Sequence, residues 1–268
     1  MTVSVSVISL LNNLKYIVVN NKMPDKIEVE QIDLGIQTIA QIYKLPQQII
    51  DYLWERIDIA KKKQICHKKY LAGKISHSYL LEDPQNLVIQ NLHDILFNSV
   101  DNPKMFNFMS REIGRICKKK MNTTDKDKQV LQPYLESIWV NFQKKGEFQP
   151  IHSHSGMFSF VIWMDIPYHP KDEAKLSFVE STLKTPSVGN FSFIFSDDTS
   201  RSVGEYNIEM SPEKNGYCCL FPSDLSHQVY PFYTSDKDRI SISGNMGYHF
   251  MVPNPHPEYQ FPFHTSET

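Results

Sequence analysis

Hydrophobic and polar positions follow two different rhythms along the 268-residue chain, and the change comes near residue 130. After Pro46, the apolar residues Ile49, Ile50, Leu53, Trp54 and Ile57 recur at helical spacing and mark one face of a helix. Lys61, Lys62 and Lys63 then gather where a helix C-terminus favours positive charge. Asp83-Pro84 reads as an N-cap and first helical residue ahead of Leu87, Ile89, Leu92, Ile95 and Leu96. A third helix is expected from Pro103 to about Lys120, before the polar run NTTDKDK. Between the first two helices, LAGKISHSYLL reads as extended.

Beyond residue 130 the pattern shortens. YLESIWVNF, MFSFVIWMDI, KLSFVE, NFSFIF, EYNIEM, GYCCLF, HQVY and RISISGN follow one another, punctuated by Gly, Pro, Asp and Ser. Many short strands with turn signals predict a sandwich or barrel rather than a crossover α/β unit. The expected architecture is mainly β with N-terminal α. A jelly-roll (cupin-like) core is placed at 134–250, with the mixed α/β region 1–133 packed on one sheet. The Pro- and aromatic-rich tail, 251–268, is expected to lie irregularly on the surface.

Composition narrows the function classes. With 28 Lys+Arg against 30 Asp+Glu, the net charge of −2 removes the electrostatic basis for bulk nucleic-acid binding. The basic cluster Lys118, Lys119, Lys120, Lys126 and Lys128 reads as a solvated helix end and loop. No apolar run approaches the roughly 20 residues that span a bilayer. MTVSVSVISLLNNLKYIVV has no basic n-region and no small-residue cleavage site, so it does not read as a secretory signal. Cys66, Cys117, Cys218 and Cys219 show no C-x-x-C spacing, and the vicinal pair suits a strand. These features predict a soluble, reduced, cytoplasmic protein.

Three constellations carry candidate chemistry. In His152-Ser153-His154, positions i and i+2 of an extended segment share a face about 6–7 Å apart. Two imidazoles so placed can converge on one metal, with nitrogen bonds of ~2.0–2.2 Å. Some seventy residues later an apolar strand runs through Phe221-Pro222-Ser223-Asp224 to a single histidine, His227. Two strands meeting in a jelly roll could set His227 opposite the pair. In Arg239-Ile240-Ser241-Ile242-Ser243-Gly244-Asn245, alternation puts Arg239, Ser241, Ser243 and Asn245 on one face. An inward guanidinium there needs an anionic partner, and its fork suits a carboxylate. Phe158, Phe160, Trp163 and Tyr230 are candidate pocket residues.

This order of motifs resembles the 2-oxoglutarate/Fe(II)-dependent oxygenases, most of all bacterial and phage oxygenases with an H-x-H…H…R-x-S pattern. The matching stretches are Trp139-Val140-Asn141, His152-Ser153-His154, Ser159 to Trp163, Phe221 to Phe232, and Arg239 to Asn245. They cover about 134–247, with a fainter lead-in at LPQQIIDYLWERI and LAGKI. The resemblance implies a double-stranded β-helix that uses Fe(II), 2-oxoglutarate and O2. It implies that His152 and His227 bind iron, with His154 at the position commonly held by a carboxylate. Arg239 would pair with the distal carboxylate of 2-oxoglutarate, helped by Ser241, and Asn141 would contact the cosubstrate. Hydroxylation coupled to decarboxylation of 2-oxoglutarate to succinate is the implied reaction. The substrate class stays open among a protein side chain, a small metabolite and a modified nucleotide.

The departure is the third histidine, since the common triad is two histidines and a carboxylate. His154 either ligates as a neutral imidazole or swings away in favour of water. It leaves no gap for a halide, which argues against halogenation. A cupin-type metalloenzyme that does not use 2-oxoglutarate is the nearest alternative. Gly146 precedes His152-x-His154 and Gly216 precedes Pro222-x-Asp224-x-x-His227 at cupin-like spacing, but the cupin glutamate is missing, with Phe158 and Ser159 there. A non-catalytic jelly-roll binding or structural protein is the alternative from another class.

Overall fold

Alternation along the strands sorts side chains into two layers, and the computed structural model follows that sorting over residues 28–34, 39–99, 101–120, 130–179, 187–197 and 202–251. Strands β1 (Val29–Asp33), β2 (Ile39–Lys44), β3 (His77–Leu80), β4 (Val130–Gln143), β6 (Phe158–Asp165), β9 (Tyr217–Pro222) and β11 (Arg239–Met251) form the larger sheet, in the order β1-β2-β9-β6-β11-β4-β3. Strands β5 (Gln149–His152), β7 (Phe191–Asp197), β8 (Ser202–Ile208) and β10 (His227–Val229) form the smaller, in the order β5-β10-β7-β8. All the pairings are antiparallel.

On the larger sheet Ile138, Val140, Phe142, Phe160, Ile162 and Ile242 face the helices α1 (Gln47–Lys63), α2 (Leu87–Asn98) and α3 (Pro103–Lys120). Leu53, Ile57, Leu92, Ile95, Met109 and Ile113 meet them there, each fully or almost fully buried. The opposite parity, including Val161, Trp163, Cys219 and Phe221, packs between the sheets against Phe191 and Phe193. Two facing antiparallel sheets with helices behind one of them make the double-stranded β-helix, or jelly roll, expected from the sequence. β4 through β11 supply its eight strands. Among the described residues no helix is long and apolar enough to cross a membrane.

Local chemistry explains the helix ends. Asn102 accepts from the backbone N–H of Lys104 (2.9 Å) and Met105 (3.3 Å), ahead of which Pro103 opens α3. Gln64 ends α1 in a left-handed conformation (φ 50°) and donates its N–H to the carbonyl of Ala60.

Three expectations are corrected. Asp83 does cap α2, but Pro84 is not its first residue. A turn intervenes, the helix begins at Leu87, and the Asp83 carboxylate reaches the N–H groups of Leu87 and Val88 at 3.1 and 3.0 Å. KLSFVE contains no strand in its described part. The short helix α4 (Pro170–Glu173) runs into consecutive turns, with Leu176 and Val179 donating back to Glu173 and Leu176. Phe178 is left mostly exposed. The larger sheet also draws β1 and β2 from the first half, which the sequence reading did not single out. The NTTDKDK run, the N-terminal stretch before residue 28 and the tail after Met251 lie outside the described residues.

Candidate metal centre

β5 and β10 are neighbours, and their register sets His152 directly across from His227. His154 lies two residues past the end of β5, where its backbone N–H donates to the carbonyl of Ser223 at 2.8 Å. That bond ties the segment after β5 to the turn that delivers His227. The donor atoms of His152, His154 and His227 all lie within 4.8 Å of one another. Bonds of ~2.1 Å to one shared ion set neighbouring donors about 3.0–3.4 Å apart, so small rotations of the rings would have to draw the widest pair together on binding.

The backbone decides which nitrogen each ring offers. His152 Nδ1 is 2.7 Å from the carbonyl of Pro150, and His227 Nδ1 is 3.0 Å from that of Leu225. A carbonyl only accepts, so both Nδ1 atoms carry the hydrogen and both Nε2 lone pairs are left for a ligand. His227 Nε2 stands 3.2 Å from His154 Nε2. Burial lowers all three imidazoles below the ordinary histidine range. His154 is pushed down to about 4, with His152 adding to the effect of burial. Phe191 stacks on the His227 ring at 5.4 Å and Phe221 meets it edge-on at 4.9 Å, which accounts for its burial. Neutral imidazoles are the form that binds metal. Among the described residues no carboxylate joins the group.

Arg239 lies at the start of β11, 3% exposed. Its guanidinium donates to the hydroxyl of Tyr168, to the carbonyls of Gly189 (2.7 Å) and Tyr230 (3.0 Å), and to Oε1 of Gln143 (2.8 Å). Every one of these acceptors is neutral. The nearby buried carboxylate of Glu173 is held instead by the N–H groups of Tyr233 (2.9 Å) and Thr234 (2.8 Å) and by the Thr234 hydroxyl. A buried cation satisfied only by dipoles suits an anionic ligand. Arg239, Ser241 and Ser243 line a narrow cavity together with His152, His154 and His227, bordered also by Trp139, Gln143, Trp163 and Met210.

Asn141 stands across β4 and β11 from Ser241 and across β3 from Ser78. It is 1% exposed, and among the described residues neither its amide oxygen nor its nitrogen has a partner. Of the aromatic candidates, Trp163 and Phe160 border the cavity. Phe158 packs on the helix side against Phe108 at 5.0 Å, and the Tyr230 hydroxyl bonds Glu205 at 2.9 Å. Sequence reasoning missed Gln143 and Tyr168. Period-two alternation from Asn141 could have reached Gln143, but Tyr168 follows the end of β6 and carried no signal.

Residues 137–245 match the model of a family described as "Putative 2OG-Fe(II) oxygenase". The three histidines and Arg239 all fall inside that segment, and the family uses Fe(II), 2-oxoglutarate and O2. No curated protein matches the chain. Among solved structures, a Pseudomonas putida prolyl-4-hydroxylase is 12% identical, covering 76% of this chain and 90% of its own, with a TM-score of 0.42. A Trichoplax adhaerens prolyl hydroxylase, solved in complex with a hypoxia inducible factor oxygen degradation domain peptide fragment, is 11% identical over 90% of this chain and 91% of its own (TM-score 0.37). A Burkholderia pseudomallei oxidoreductase of the 2OG-Fe(II) oxygenase family is 9% identical over 89% and 77% (TM-score 0.28).

Proposed function

We propose that the protein is an Fe(II)- and 2-oxoglutarate-dependent oxygenase that hydroxylates a substrate as 2-oxoglutarate is decarboxylated to succinate. The observation that carries this reading is the pairing of three convergent, neutral imidazoles with a buried guanidinium that has only neutral partners. In this reading His152, His154 and His227 hold the iron through Nε2. Arg239 receives the distal carboxylate of 2-oxoglutarate, with Ser241 and the Tyr168 hydroxyl beside it. The unpartnered amide of Asn141 offers both a donor and an acceptor to the cosubstrate. When bound, iron and 2-oxoglutarate supply the activation of O2. The chain orients them and keeps water out with Trp163, Phe191 and Phe221. Residues 134–250 act as the catalytic core, 1–133 as its buttress and 251–268 as a tail.

A second reading, a three-histidine cupin-type metalloenzyme without 2-oxoglutarate, draws on the absence of a carboxylate from the histidine group among the described residues. One experiment separates the two. Iron-loaded protein is titrated with 2-oxoglutarate while the metal-centred absorption and the thermal midpoint are followed, and succinate is measured under O2. The oxygenase reading expects a 2-oxoglutarate-dependent shift in both and succinate above the protein-free control. Absence of any shift would favour the cupin reading.

A further inference from the structure

A groove of about 1340 Å³ shares Trp139 and His154 with the narrow cavity beside Arg239. It runs along residues 65–70, the turn before α2 and the 134–139 stretch of β4. Small-molecule sites occupy roughly 300–1,000 Å³, so this groove suits a length of polymer better than a metabolite.

Its carboxylates are Glu82, Asp83 and Glu136, against a single lysine, Lys69. Two of the three are committed elsewhere. Glu82 is ion-paired with Arg56 and Lys63, and Asp83 caps α2 while accepting from the Tyr52 hydroxyl. Glu136 differs. Its partners are the hydroxyls of Tyr134 and Ser155, both at a long 3.4 Å, and among the described residues no cation comes within ion-pair distance. Ser155 directly follows His154. Gly156 (φ +91°) closes on the same carboxylate, since a Cβ there would sit 3.1 Å from Glu136 Oε2.

Aromatic faces and a spare donor complete the groove. Trp139 stacks on His67 at 4.7 Å and leans towards His154 at 5.9 Å, and Tyr70, 65% exposed, already has Lys69 Nζ 4.8 Å from its ring centre. Such faces attract cations. The buried indole Nε1 of Trp139 has no acceptor among the described residues, so a ligand carbonyl that reached it would satisfy it.

We infer that this groove binds an extended peptide segment and draws one of its lysine or arginine side chains to Glu136, beside His154. The inference rests on the oxygenase reading and adds the substrate class to it. A nucleic-acid strand would instead bring a phosphate against the uncompensated Glu136 carboxylate, so a peptide is the favoured polymer.

Binding is tested without turnover, which keeps it separate from the oxygenase reading. Fluorescein-labelled peptides with a central lysine, arginine, norleucine or glutamate in a Gly/Ser/Ala frame are titrated against iron-loaded protein by anisotropy, with labelled oligothymidylate in parallel. Lysine and arginine peptides should bind at least five-fold tighter than the norleucine peptide. Glu136→Gln should erase that preference, and Glu136→Arg should transfer it to the glutamate peptide. A reversed preference would not arise from mere loss of structure, and the thermal midpoints of both variants check folding. Equal affinity for basic and norleucine peptides, or tighter binding of oligothymidylate, would overturn the inference even if succinate formation upholds the oxygenase reading.

Discussion

Replacing Arg239 by lysine keeps the charge but removes the fork, which makes it the sharpest test of how the cosubstrate is held. The guanidinium makes four hydrogen bonds, two from each terminal nitrogen. A lysine ammonium has three donors on a stem that cannot place them in one plane. At least one of the four acceptors is therefore orphaned in a site where Arg239 is 3% exposed. A buried unsatisfied acceptor costs about 1–3 kcal/mol, so the variant should be less stable by about 2 kcal/mol. A charge-assisted bond to a carboxylate is worth roughly 1.5–3 kcal/mol, so if 2-oxoglutarate displaces one of these neutral acceptors, losing that bond should weaken its binding about 10- to 100-fold. The metal should stay, because none of the bonds made by Arg239 goes to a histidine. The assay is calorimetric titration of 2-oxoglutarate into metal-loaded wild type and Arg239→Lys, with metal content measured on the same samples. Cosubstrate affinity within two-fold of wild type would refute the assignment. So would parallel loss of metal and cosubstrate, which would mean the lysine had collapsed the site.

His152→Ala and His227→Ala should each lose most of the bound metal by elemental analysis, whereas His154→Asp should retain it; unchanged metal affinity in His154→Ala would remove that residue from the ligand set. Gly189→Ala should weaken 2-oxoglutarate binding and lower the thermal midpoint, because φ is +77° and the new Cβ would sit 2.7 Å from Cε2 of Tyr168, the ring that bonds Arg239; an unchanged titration would show that Tyr168 does not set the guanidinium. Burial pushes His93 down to about 4, so the unfolded chain takes up that proton first as pH falls. Stability from this group is therefore full above about 6.5 and lost on descent towards 4, about 3 kcal/mol in all. Urea unfolding of wild type and His93→Gln across that range should diverge accordingly, and parallel curves would count against it.

Short-range alternation made much of the core legible. Ile240 and Ile242 could be assigned to one face and Arg239 and Ser241 to the other because a strand has a period of two and one wrong step would expose every apolar residue. The convergence of His152, His154 and His227 needed more, namely a guess that β5 and β10 are neighbours. The family resemblance supplied the pairing that periodicity could not. KLSFVE misled because three apolar residues in six suit a strand only if a partner strand is present. Here Pro170 starts a helical turn whose Glu173 is drawn inward to the loop at Thr234. Tyr168 and Gly189 were invisible for a related reason. Their meeting with Arg239 joins chain ends 50 and 71 residues away, and no local pattern encodes it.

The vicinal thiols of β9 bear on how the molecule can be handled in the presence of iron and oxygen. Cys218 and Cys219 point to opposite faces of the strand, one towards the helices and one between the sheets. Burial pushes Cys218 up to about 12 and Cys219 well above the ordinary thiol range. Only the thiolate is an effective nucleophile, so both resist alkylating and oxidising reagents while the fold is intact. Cys66 is exposed and borders the large groove. A thiol-reactive dye at neutral pH would thus discriminate among these three by burial alone. Attached at Cys66, it becomes an optical gauge of whatever enters that groove, with the wild-type residue as its anchor.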